Sequence, residues 1–198
     1  EVLLVIAIIG VLLALLLGSV VPAFIGALLA AGMLAASGLG TFDKVWLSWF
    51  EGSSIGGVAL LPLGLVLAAR GWGPLWADLR RPSVLLALAL VVGVSLIVPT
   101  SLPHPYVYIS IALVLLAAVG RFTGAALGVM LCSLSVAMLI AQGSFLPLMS
   151  IQPVHEGLFY LPLLLVLLPP LLLAATLERI QHGVVELAQR EDDFRTLY

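Results

Sequence analysis

The chain has 198 residues, 63% of them hydrophobic and only 9% charged, with a formal net charge of −2. Soluble domains carry about 25% charged residues, so this composition excludes a soluble globular domain and points to an integral membrane protein. The single cysteine, Cys132, excludes an intrachain disulfide framework and a cysteine-based zinc site, and its apolar surroundings mark it as a packing residue.

The chain opens at Glu1 inside an apolar pattern, with neither Met nor a basic stretch, which reads as a fragment rather than a signal peptide. Val2 to Leu39 is almost continuously apolar and, at 1.5 Å per residue, exceeds about 50 Å, too long for one straight crossing. The run Gly18-Ser19-Val20-Val21-Pro22 is the expected break, and either two short helices or one long bent helix fits. Gly38 to Thr41 then turns the chain into Phe42–Arg70, whose apolar part is long enough to cross a bilayer. This stretch carries Glu51 beside Ser48, Ser53 and Ser54. An acid inside a span costs a few kcal/mol, roughly 2.5–3.5 for Asp at mid-helix, and should face protein or water rather than lipid. Gly52-x-x-x-Gly56, offset by Ser53-x-x-x-Gly57, offers a smooth groove for close approach of a second helix, and Pro62 permits a bend. Phe42–Arg70 is therefore expected to be the central helix of the bundle.

The loop GWGPLWADLRRP follows, with tryptophans and arginines that mark a membrane interface. Ser83 to Val98 is the next crossing, closed by Pro99, Pro103 and Pro105 around His104. Tyr106 to Val119 is shorter; Gly120-Arg121-Phe122 makes a tight turn, and Thr123 to Ala141 crosses back. Gln142 to Glu156 reads as a wet loop. Gly157 to Ala175 is the last crossing, with Pro162, Pro169 and Pro170 as expected kinks. If the crossings alternate, Arg70, Arg80, Arg81, Arg121 and Arg179 share one side and Lys44 lies on the other. The positive-inside rule then puts the arginine side and the C-terminus in the cytoplasm.

Beyond the last crossing, Leu173, Leu177, Ile180, Val184 and Leu187 are spaced 4, 3, 4 and 3 apart, a short heptad seam flanked by Glu178, Arg179, Glu186 and Arg190. A parallel homodimeric coil is expected here; an amphipathic helix folded back on its own bundle is the alternative.

Glu51, with Ser48 and Ser54, is the sharpest candidate for sensing or ligand binding; the plainer reading is a structural acid near the interface, capping neighbouring hydroxyls or backbone. Gly52, Gly56, Gly57, Gly124 and Gly128 lie in apolar helices and read as helix-packing positions, not as a phosphate loop. His155-Glu156 and His104 read as solvated loop residues. No nucleotide loop, nucleophile–base pair or metal-ligand spacing is present, so neither catalysis, a cofactor nor a metal is expected in this chain, and no nucleic acid as partner.

The run VWLSWFEGSSIGGVALLPLGLVL resembles the bacterial membrane-associated sensor domain of the first type, the founding MASE class. Supporting motifs are Pro105-Tyr106-Val107-Tyr108, the helix ending AAVGRFTGAALG, and Gln142-Gly143-Ser144-Phe145. The terminal EDDFRTLY is similar to the opening of a PAS domain. The resemblance implies a multi-helix sensor of the inner membrane that answers a small-molecule or protein signal. It would drive cytoplasmic GGDEF or EAL domains of cyclic di-GMP turnover (diguanylate cyclase or phosphodiesterase), or a histidine kinase. The family's acid matches Glu51, and its early helices, with a Trp-Pro-type motif, are missing here.

The expectation is therefore an all-α, polytopic transmembrane bundle of about six kinked crossings. Residues 1–176 would form the sensor, 177–192 a cytoplasmic signalling helix, and 193–198 the start of a downstream domain. The rival reading is a transporter or channel module with a buried acid, suggested by the broken helices.

Overall fold

The computed structural model describes residue 10, residues 13–144 and residues 161–197, and among these there are helices and short connections but no strand. Helix α1 spans Leu13–Ala36, α2 Phe42–Arg70, α3 Gly73–Leu79, α4 Pro82–Ser101, α5 Pro105–Ala141 and α6 Leu161–Leu197. Five of them (α1, α2, α4, α5 and the Pro162–Gln181 part of α6) are long and apolar enough to cross a membrane. Such a chain belongs in a lipid bilayer, where only internally hydrogen-bonded helices or closed barrels satisfy the backbone.

The expected break at Gly18–Pro22 is a π-helical segment, Leu16–Val20, that runs straight into Val21–Ala36. Pro22 sits in the first turn of that α-helical part, directly after the π-helical segment. Over the described residues this favours one long helix with a wide turn. The loop after Arg70 is largely helical too: Gly71 (φ 70°) ends α2, and α3 follows at once. Leu75 of α3 is buried while Trp72 and Trp76 are exposed, and Asp78 pairs with Arg81 at 3.5 Å.

Helix α5 is 37 residues long, about 55 Å if straight, but it is not straight. Arg121 adopts φ 54° and ψ −162°, conformations an L-residue reaches only at a turn. The two limbs fold back on each other. A methyl group placed on Gly124 would touch Leu116, and one on Gly128 would overlap Leu116 Cδ2 and meet Leu113, 15 positions earlier in the chain. Those residues would be some 20 Å apart along a continuous helix. The turn expected at Gly120–Phe122 is thus where the backbone reverses.

This hairpin is the centre of the bundle. It packs on α4 and α6 and, more lightly, on α2, whereas among the described residues α1 packs mainly on α2. Ile109, Leu113, Leu116, Val129 and Val136 are fully buried between Val84, Leu88 and Val91 of α4 and Leu163, Leu167 and Leu171 of α6. The expectation that Phe42–Arg70 is central is corrected: α2 buries Ile55, Val58, Ala59 and Leu63 against the hairpin but leaves Trp49, Leu60 and Leu65 outward. The reason is volume. The Gly, Ala and Ser positions of 117–133 let three neighbours close on α5, as small residues do where lipid removes the hydrophobic drive.

Contacts fix which ends lie together. Arg70 at the end of α2 pairs with Glu178 of α6 at 2.5 Å, and Gly120 lies against Val84 at the start of α4. Arg70, Arg81 and Arg121 therefore gather at one end of the bundle, with Lys44 at the other.

Candidate functional site

The Phe42–Arg70 helix presents two faces with different neighbours. One meets α1. A methyl on Gly57 would lie 2.6 Å from Ser19 Cβ and 3.1 Å from its Cα, so Gly57 is where the two backbones touch. Beside it, the Ser19 hydroxyl donates to the Ser54 carbonyl at 3.5 Å, while the buried Ser54 hydroxyl has no partner among the described residues. Toward the Lys44 end the same interface is aromatic: Trp46 and Phe50 stack at 5.5 Å, and Phe24 of α1 sits edge-on to both at 5.7 and 5.9 Å.

The other face is open. Gly52 and Gly56 have nothing within 4 Å of a methyl placed on them, so the Gly52-x-x-x-Gly56 groove holds no helix in this structure. With Ser48, Ile55, Ala59 and Leu60 they form one wall of a cavity of about 570 Å³. The facing wall is the second limb of α5, with Met130, Ser133, Ala137 and Ala141, and Leu163 of α6 completes it. Ser133, Ala137 and Ala141 are spaced four apart, a second stripe of small residues opposite the first. Two such stripes would ordinarily bring helices into contact; here they face each other across a gap. The volume is that of a small-molecule pocket, about 300–1,000 Å³.

Glu51 lies one residue before Gly52 and three after Ser48 in the helix but does not itself line the cavity. It is half-buried and makes no hydrogen bond or ion pair with any described residue. Ser48 is exposed and lines the cavity, whereas Ser54 lies against α1; the three candidate residues are thus on one helix but serve two faces. Gly124 and Gly128 pack inside the α5 hairpin, against Leu116. His155 and Glu156 lie outside the described residues, and His104 is exposed at a helix start.

The seam residues divide at the end of the bundle. Leu173 packs on the core, Leu177 is half-buried, and Ile180, Val184 and Leu187 are 53%, 60% and 67% exposed. The helix carrying them continues to Leu197, through the residues read as the opening of a next domain.

Sequence reading missed two features. The Ser133–Ala137–Ala141 stripe carried a signal, the same four-residue spacing noted at Gly52. The Arg70–Glu178 pair joins residues 108 apart and had none. Among the described residues no three His, Cys, Asp or Glu side chains come together as a metal site. No protein-family model, no curated protein and no solved structure matches this chain.

Proposed function

We propose that the chain is the sensory domain of an inner-membrane signalling protein, crossing the bilayer about six times with the α5 hairpin as two of the crossings. Its C-terminus is cytoplasmic, and its output domains belong to cyclic di-GMP turnover or to a histidine kinase. One observation carries this reading: α6 lines the cavity through Leu163 and continues as a single helix to Leu197, with an exposed apolar stripe. Whatever changes at the cavity bears directly on the helix that leaves the membrane. The Arg70–Glu178 pair ties that helix to the Glu51 helix at the opposite end. An exposed pair of this kind is worth about 0–1 kcal/mol, a weight suited to a contact that resets rather than one that holds the fold.

The experiment is a substitution pair. Glu51→Gln keeps the shape and removes the charge; Glu51→Leu removes the polar group altogether. Both should insert normally and shift the basal output of the attached domain by about 5-fold or more, the usual size of coupling between sites, with Leu the larger. Wild-type output from both variants, across growth conditions, would reduce Glu51 to a structural acid.

Sidedness is tested separately. In a Cys132→Ser background, single cysteines replacing Thr41 and His104 should react with an impermeant maleimide added outside intact cells, and one replacing Asp78 should not. Labelling at Asp78 would invert the orientation. Equal protection of Thr41 and Asp78 would mean the intervening helix does not cross.

A further inference from the structure

The end of the bundle that gathers the arginines carries a surface that the sensory reading does not use. Helix α3 joins the end of α2 to the start of α4 and packs on α5, whose reversal lies at the same end. The Trp76 N–H donates to the Trp72 carbonyl and the Arg80 N–H to the Trp76 carbonyl, so the helical path runs from residue 72 to residue 80. Side chains four apart on such a path share a face. Leu75 and Leu79 form one edge, and both pack on the core. Trp72, Trp76 and Arg80 form the neighbouring edge. All three are exposed, the tryptophans at 62% and 59%. Indoles placed between the ends of two helices long enough to cross a membrane stand at the depth of lipid headgroups and ester carbonyls.

Charge decides which headgroup fits. Asp78 is taken by Arg81, and Glu178 by Arg70. Arg80 and Arg121 are exposed and form no ion pair with any described residue. They belong to one neighbourhood, because a methyl on Gly120 would lie 3.7 Å from Val84 Cγ1, one turn into the helix that follows Arg81. Arg121 also holds φ 54° and ψ −162°, a region that glycine ordinarily occupies alone. A glycine would make this turn without strain; the chain puts a guanidinium there instead. A zwitterionic head would bring its amine toward two guanidinium groups, with no unpaired acid on α3 or the α5 turn to receive it. A phosphodiester monoanion accepts hydrogen bonds from both forks.

We propose that α3 and the α5 turn form a docking surface for an anionic phospholipid of the phosphatidylglycerol type, in the leaflet at the arginine end. The Trp72–Trp76 edge takes its ester carbonyls and upper acyl chains, and Arg80 and Arg121 take its phosphate. This surface is independent of the sensory reading and of which way the chain faces.

The test uses the whole chain in nanodiscs of mixed phosphatidylcholine and phosphatidylglycerol, with the lipid retained after transfer to detergent counted by native mass spectrometry. Phosphatidylglycerol should be retained in preference to phosphatidylcholine, and the preference should fall with added salt. Arg80→Gln and Arg121→Gln should each lower it about fivefold, whereas Lys44→Gln at the far end should leave it unchanged. Arg121→Gly separates binding from folding: it should weaken retention as much as Arg121→Gln does, with no lower unfolding temperature in phosphatidylcholine alone. Losing both indoles, in Trp72→Ala with Trp76→Ala, should also loosen phosphatidylglycerol; retention unchanged by that loss would overturn the tryptophan edge. Equal retention of the two lipids, or a preference that survives the Arg80→Gln and Arg121→Gln double variant, would overturn the site. Displacement of the lipid by inorganic phosphate beyond that by chloride at equal ionic strength would make it a free-phosphate site instead. Binding of a polyglutamate peptide, with no preference between the lipids, would make it a face for an acidic protein. The wild-type comparison of the two lipids stands even if a variant misfolds.

Discussion

Gly128→Leu should prevent the bundle from assembling as a stable unit, and Gly128→Ala should lower its stability by about 1–3 kcal/mol. The reason lies in the fold-back at Arg121. A single methyl on Gly128 overlaps Leu116 Cδ2 and meets Leu113, and both leucines are fully buried under the α4 and α6 neighbours of the hairpin. A flexible side chain at a surface would swing away; Leu116 is fully buried and can yield only by repacking its neighbours. In lipid the hairpin gains little from hydrophobic transfer, so packing at this point carries much of its stability. Leu116→Ala alone leaves a hole and should cost about 2–5 kcal/mol. Combined with Gly128→Ala it should cost clearly less than the sum, because each change relieves the other. Gly52→Ala and Gly56→Ala meet nothing and serve as controls. Unfolding curves in detergent check all six variants. A Gly128→Ala protein as stable as wild type would mean that the limbs do not pack at this glycine.

The second large effect concerns the phase of the exit helix. Each residue inserted after Val185 turns everything downstream by about 100°, and seven residues restore the direction to within about 20°. Ile180 and Val184 lie before the insertion and Leu187 after it, so one- or two-residue insertions break the apolar stripe and a heptad preserves it. On the proposed sensory reading, output from a domain attached beyond the helix should be locked or lost, by about 5-fold or more, for the short insertions and largely kept for the heptad. Gly183 is the weak point: it costs about 1 kcal/mol of helix stability relative to Ala and lets the helix flex. Gly183→Ala should therefore sharpen the phase dependence. Equal output from one-, two- and seven-residue insertions would make the tail a tether.

The membrane character and the limits of most helices were legible because they rest on composition and on breakers: Pro82, Pro105, Gly38 and Gly71 stand at or beside helix ends. The reversal at Arg121 was legible because Gly120-Arg121-Phe122 sets a glycine and a charge between two apolar runs. The centre was not. Glu51 and the Gly52–Gly56 stripe drew attention to α2, yet a rare acid and a smooth face say nothing about how many neighbours a helix has. The α5 hairpin is central because it has neighbours on several sides, a property of the assembled fold. The same limit applies to the cavity. Small-residue stripes at 52–56 and 133–141 were visible or could have been, but their spacing is equally compatible with contact and with a gap. Helix α3 was hidden because the stretch GWGPLWADLRRP, with two tryptophans and two prolines, reads as an interface loop, whereas Gly73–Leu79 within it forms a short helix with Leu75 inward.

On the proposed sensory reading α6 leaves the bundle as a rod that pairs with a second copy, and single-cysteine crosslinking in membranes tests this most directly. In a Cys132→Ser background, cysteines placed one at a time from Ile180 to Arg190 are oxidised in native membranes and scored for disulfide-linked dimers. The account predicts a periodic pattern, with strong linkage at Ile180, Val184 and Leu187 and little at Gln181 or Glu186, which lie off the stripe. Linkage that is absent throughout, or uniform along the helix, would contradict it.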